Sequence, residues 1–74
     1  MQVDNRWTVF IERTKLIFNF LTDDELYTVI NNSDQWDSLR NIQIYVILIE
    51  VLGKEIDTNE FLEIKKIEDC KKFF

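Results

Sequence analysis

The sequence predicts an all-α fold, a four-helix bundle with three main helices and a short third one. Proline is absent and glycine occurs once in 74 residues, which suits short helices joined by polar loops better than sheets. Apolar residues recur at three- and four-residue spacing, the period of an amphipathic helix. Helix-start signals stand at Thr22, Asp37 and Asp57, each an acid or hydroxyl residue just ahead of an apolar run. A chain of this length makes a single domain, residues 1–74, and such a domain buries only about 60% of its unfolded surface, so its core must be efficient.

Val3, Trp7, Phe10, Ile11, Ile17, Phe18 and Leu21 form one stripe of a first helix from about Val3 to Phe18. Asp4, Arg6, Glu12, Arg13 and Lys15 fall mainly off that stripe and face water. Thr22 stands three residues before Glu25, as in a capping box, and predicts a short helical turn near Asp23 to Ile30. Leu26, Val29 and Ile30 are expected to pin that segment to the core.

The run from Ile42 to Leu52 is rich in isoleucine and valine and has high strand propensity. It ends, however, in Leu52-Gly53, a helix-stop signal. Leu39, Ile42, Val46 and Ile49 also form a helical stripe beside Ile44, Leu48, Val51 and Leu52, and a lone strand would have no partner to pair with. The segment Ser38 to Leu52 is therefore expected to be a helix buried over most of its girth. Asp57-Thr58-Asn59-Glu60 then caps a short third helix carrying Phe61 and Leu62, and Ile64, Ile67, Cys70, Phe73 and Phe74 mark a last helix from about Lys66. The expected core is Trp7, Phe10, Ile17, Leu39, Ile42, Leu48, Phe61, Ile64 and Ile67.

With 14 acidic and 9 basic residues the net charge is −5, so nucleic acids and anionic membranes would be repelled, and basic protein surfaces suit the chain better as partners. The longest apolar stretch, Ile44 to Ile49, is far short of the roughly 20 residues that span a bilayer. Met1-Gln2-Val3-Asp4-Asn5-Arg6 lacks the basic-then-apolar pattern of a secretory signal, and Cys70 is the only cysteine, which suits a reducing compartment. A cytoplasmic, monomeric protein without membrane insertion is expected. Cys70 on an apolar face reads as core packing.

Histidine is absent, so Ser-His and Cys-His nucleophilic pairs are excluded. One cysteine and no Asp-x-Asp-x-Asp-Gly loop leave only carboxylate clusters such as Asp23-Asp24-Glu25 for a metal, and these read as a solvated helix start. Gly53 alone cannot build a phosphate-cradling loop. No enzymatic activity and no metal are expected.

The feature that carries chemistry is Trp36-Asp37-Ser38-Leu39, set where the polar loop Asn31-Asn32-Ser33-Asp34-Gln35 meets the apolar run. An acid followed by serine at a helix start caps the free amide groups and places the hydroxyl at the positive end of the helix dipole, where an attached phosphate is favoured. Asp37 or Ser38 as a plain N-cap is the simpler account of the same residues.

Asp37-Ser38-Leu39, followed by Ile42, Ile44, Leu48 and Leu52, then Glu55-Ile56, Ile64 and Ile67, resembles the acyl carrier protein family. The resemblance covers Gln35 to Phe74, and the preceding segment has the length of that family's first helix and long loop. It implies an acyl-carrier-protein-like bundle in which Ser38 carries covalent 4'-phosphopantetheine, whose thiol holds an acyl or aminoacyl group as a thioester. The implied partners are a phosphopantetheinyl transferase and acyl- or aminoacyl-loading and transferase enzymes. Asp37 would cap the helix and help the transferase dock, Leu39 would contact partners, and Ile42 would anchor the helix below.

The chain also departs from the family. Arg40 and Gln43 stand where fatty-acid carriers commonly show acids, which points to a specialised pathway, with fatty-acid synthesis as the other possibility, and adds both residues to the expected partner surface. Ile49 and Val51 replace frequent glutamates and serve either as core contacts or as an apolar patch. Asp34-Gln35-Trp36 replaces the family's usual leucine, glycine and small residue before the signature. The competing expectation is a small helical interaction or regulatory module without the prosthetic group.

Overall fold

The computed structural model describes residues 5–74, so Val3 and Asp4 of the expected first helix lie outside the described residues. All regular structure among the described residues is helical: α1 (Arg6–Ile17), α2 (Asp23–Thr28), α3 (Ser38–Leu52), α4 (Thr58–Leu62) and a C-terminal 3₁₀ helix, Ile67–Phe73. Only α1 and α3 are long. They pack against each other and run antiparallel, because Arg13 reaches Glu50 while Arg40 reaches Phe20.

The helix ends follow local chemistry. Thr22 and Glu25 close a capping box at α2, with the Thr22 hydroxyl accepting from the Glu25 amide at 3.2 Å and the Glu25 carboxylate accepting from the Thr22 amide at 2.8 Å. Asp57 caps α4 by accepting from the amides of Asn59 and Glu60. Helix α3 stops at Gly53, whose φ of 67° lies in the left-handed region that favours glycine.

The C-terminal helix differs from the expected α-helix. Ile67, Cys70 and Phe73 are buried, and three-residue spacing puts them in one line along a 3₁₀ helix, whose i and i+3 positions eclipse. An α-helix would rotate Phe73 away from that line. The Asp69 carboxylate secures the entry by accepting from the amides of both Lys65 and Lys66.

Phe10, Leu48, Phe61, Ile64 and Ile67 are buried as expected, while Trp7 and Ile17 are half-buried and packed on the core. Leu39 and Ile42 correct the expectation, being 66% and 60% exposed. Helix α3 is apolar nearly all round, so periodicity finds two rows without saying which one faces inward. Ile44, Ile47, Leu48 and Leu52 take the inner row, and Leu39, Ile42 and Val46 face out. Ile42 therefore anchors nothing beneath the helix. Leu26 and Val29 are buried as expected, but Ile30 is exposed rather than pinned to the core. Ile42→Asp should consequently change stability by no more than about 0.5 kcal/mol, whereas Leu48→Asp, at a fully buried site, should prevent stable folding. Thermal melts of the two variants check this.

Cys70 is fully buried, as core packing requires. Burial, helped by the nearby Asp69 charge and opposed by Lys72, pushes its thiol from an ordinary 9.0 up to about 12. Folding thus holds the neutral thiol. Its contribution to stability is complete below pH 9 and falls as the pH rises from there towards 12. Iodoacetamide at mildly alkaline pH should label Cys70 slowly in the folded protein and completely in urea, as followed by intact mass. Rapid labelling of the folded protein would contradict the burial.

Candidate functional site

Trp36 positions the site. It is fully buried, with its ring edge-on to Phe18 at 5.9 Å between centroids, although it ends a polar loop. Its carbonyl accepts from the amides of Asn32 and Ser33, and its own amide donates to the Ser33 carbonyl. Asn32 sits at a φ of 65° to allow that closure, a conformation asparagine tolerates better than most residues. The Trp36 indole N–H donates to Asn41 Oδ1 at 3.1 Å, which ties the loop to the first turn of α3.

A second tie holds the far end of the loop. The Asn31 amide donates to the Lys65 carbonyl at 2.8 Å, and its side-chain Nδ2 donates to the Ile64 carbonyl at 2.9 Å. The loop thereby bridges α3 and the segment leading into the 3₁₀ helix.

Asp37 is the N-cap of α3, and its Oδ1 accepts from the Arg40 amide at 2.9 Å. Ser38 is the first helical residue and exposed, so the cap is Asp37 and the serine hydroxyl does not carry it. The Asp37 Oδ2 also takes the Arg40 guanidinium at 3.1 Å, and that guanidinium lies 5.0 Å over the centre of the Phe20 ring. The Arg40 charge is thus folded back onto a carboxylate and an aromatic face, each contact adding up to about 1 kcal/mol at such an exposed site. Leu39 projects outward from the same turn, and Gln43 is exposed one turn further along. Asp37, Ser38, Leu39 and Arg40 therefore stand together at the helix start.

Ser38 lines a surface depression of about 310 Å³ together with Asn31, Asn32, Asn41, Ile42 and Leu62. Asn41, Ile42 and Leu62 also border a second hollow of about 180 Å³, completed by Tyr45, Thr58 and Phe61. The two form a groove between α3 and α4 that is amide-rich beside Ser38 and apolar at its far end. Tyr45 stiffens the apolar end, donating its hydroxyl to the Ile56 carbonyl at 2.6 Å and lying 5.0 Å from the Phe61 ring. Comparisons with family models, with curated proteins and with solved structures find no match.

Several of these residues escape a sequence reading. Asn31 and Leu62 come to the groove from elements distant from Ser38 in sequence, and only the run of asparagines in the loop hints at the first, while Asn41 stands one helical turn after Ser38. Trp36 stands out in the sequence as a large apolar residue in a polar loop. That contrast signals burial by long-range packing.

Proposed function

We propose that the chain is a carrier protein, not an enzyme, that holds an acyl or aminoacyl group as a thioester on 4'-phosphopantetheine joined to Ser38. The observation that carries this reading is an exposed serine at the first position of a 15-residue capped helix, opening directly onto the groove. The residues fit the group. Asp37 takes the Arg40 amide and its own carbonyl takes the Asn41 amide, and the positive end of α3 is placed to receive a phosphodiester on Ser38. The paired Arg40 keeps Asp37 from opposing that anion.

Along the groove, Asn31 Oδ1 and Asn41 Nδ2 are not engaged in the loop ties, and they suit the amides of a pantetheine arm. Ile42, Tyr45, Phe61 and Leu62 suit apolar cargo beyond it. The thiol at the end of the arm, when present, supplies the thioester chemistry. The protein's own part is to present the serine rigidly and to shelter the arm. Phosphopantetheinyl transferase and acyl- or aminoacyl-loading enzymes are the partners this assigns, in the cytoplasm.

Partner choice follows from α3. Arg40 is turned onto Asp37, Gln43 is uncharged and Glu50 is held by Arg13 at 2.8 Å, so the helix offers no free carboxylate to a basic docking patch. That favours a dedicated loading enzyme of a specialised pathway over general fatty-acid synthesis enzymes. Incubation with coenzyme A, magnesium and a broad-specificity phosphopantetheinyl transferase tests the assignment by intact mass. A gain of one phosphopantetheine supports it. An unmodified chain supports instead a helical interaction module in which Asp37 is merely a cap.

A further inference from the structure

We propose that the chain pairs with a second copy of itself through the outer faces of α1 and α3, forming a two-fold dimer. Val9 and Leu16 are exposed along one edge of α1 and Phe20 just beyond its end, as are Leu39, Ile42 and Val46 along α3, with exposures between 45% and 76%. The two rows are joined across the Arg13–Glu50 pair and the Arg40–Phe20 contact. Arg13 lies between Val9 and Leu16 on its helix row, and Glu50 follows Val46 by one turn, so the Arg13–Glu50 pair at 2.8 Å brings the two rows alongside. At the other end, Arg40 over the Phe20 ring does the same beside Leu39.

Size and charge together select the occupant. From the fractional exposures the six residues present roughly 600 Å², at the top of the ~300–600 Å² expected for the largest patch on a monomer. With a polar rim this approaches the ~800 Å² that each partner gives to a specific interface. The charges along the seam are already paired, Arg13 with Glu50 and Arg40 with Asp37. A partner selected by charge has nothing free to grip, while a second copy meets no unmatched charge across a two-fold axis. Two antiparallel helices with an apolar outer face are also half of a four-helix layer arrangement, and an identical pair supplies the other half.

Ser38 opens toward Leu62 and the α4 side of α3, away from the α1 seam. Ile42 lines that groove as well as the proposed dimer face, so pairing covers one of its walls, while the oligomeric state is read without reference to any modification of Ser38.

Sedimentation equilibrium of the full chain, from low to high micromolar concentration, tests it. The expected result is a reversible shift from the 9.0 kDa chain mass to twice that value. The shift should strengthen with added salt, which screens the repulsion between two chains of charge −5. Leu16→Glu and Val46→Glu, both at exposed sites, should stay monomeric, with circular dichroism melts like the parent's at concentrations where the parent is also monomeric. A parent chain that remains at 9.0 kDa throughout would overturn the proposal whatever the variants do. So would a dimer that both glutamates leave intact.

Discussion

Trp36→Ala is expected to destabilise the protein by about 3–5 kcal/mol, the cost of emptying a fully buried aromatic site. A domain of this length has a total stability of only about 4–11 kcal/mol, so the variant should sit near its unfolding limit at room temperature. The loss has separable parts. The indole fills space against Phe18, and its N–H satisfies Asn41 Oδ1. The backbone bonds to Asn32 and Ser33 are retained in principle, but they close around a side chain that is gone. Trp36→Phe keeps most of the packing and loses only the half-buried hydrogen bond, for about 1 kcal/mol. Urea unfolding followed by far-ultraviolet circular dichroism measures both, with an unchanged slope showing that the unfolded reference is the same. A Trp36→Ala loss below about 1 kcal/mol would mean that the loop is held by Asn31 alone and that Trp36 is not its anchor.

The contrast between Trp36 and Asp37 explains how much of this molecule is legible in its sequence. Asp37, Gly53, Thr22 with Glu25, and Asp57 act on amides or dihedrals within four residues of themselves, so they mark helix ends without knowledge of the fold. The bounds of α3, Ser38 to Leu52, follow from two such residues despite strand propensity between them. What faces inward is a different kind of information. The α3 rows headed by Leu39 and Ile44 are equally apolar, and only the position of α1 chooses between them. The three-residue spacing of Ile67, Cys70 and Phe73 is compatible with either helix type, and their joint burial is what the tighter one satisfies.

The candidate site divides in the same way. Asp37 and Ser38 are visible because capping is local. The groove is not, because its far wall depends on Leu62 and Phe61 from α4, and its floor on the bonds that Asn31 makes 33 and 34 residues away. Phe20 goes unnoticed for a related reason. It lies beyond the end of α1, and its place beside the helix start follows from the arrival of Arg40 over its ring.

Ser38→Ala should abolish the phosphopantetheine mass increment entirely while leaving the fold almost untouched. Ser38 occupies the first position inside α3, and the capping bond to the Arg40 amide comes from Asp37, so alanine removes an exposed hydroxyl and no structural contact. The expected change in stability is therefore within about 0.5 kcal/mol. Asp37→Ala should behave in the opposite sense. It removes both the cap and the Arg40 ion pair, costing about 1 kcal/mol, and frees the Arg40 charge beside Ser38. The serine hydroxyl remains in place there, so transfer should slow without vanishing. The pair of variants separates two meanings of the same motif. If Asp37-Ser38 is only a cap, Asp37→Ala lowers the melting temperature and neither the parent nor any variant gains mass. If Ser38 is the attachment point, the parent gains one increment, Asp37→Ala gains it more slowly, and Ser38→Ala gains none. An increment retained in Ser38→Ala would assign the modification to another hydroxyl and remove the carrier reading from this helix.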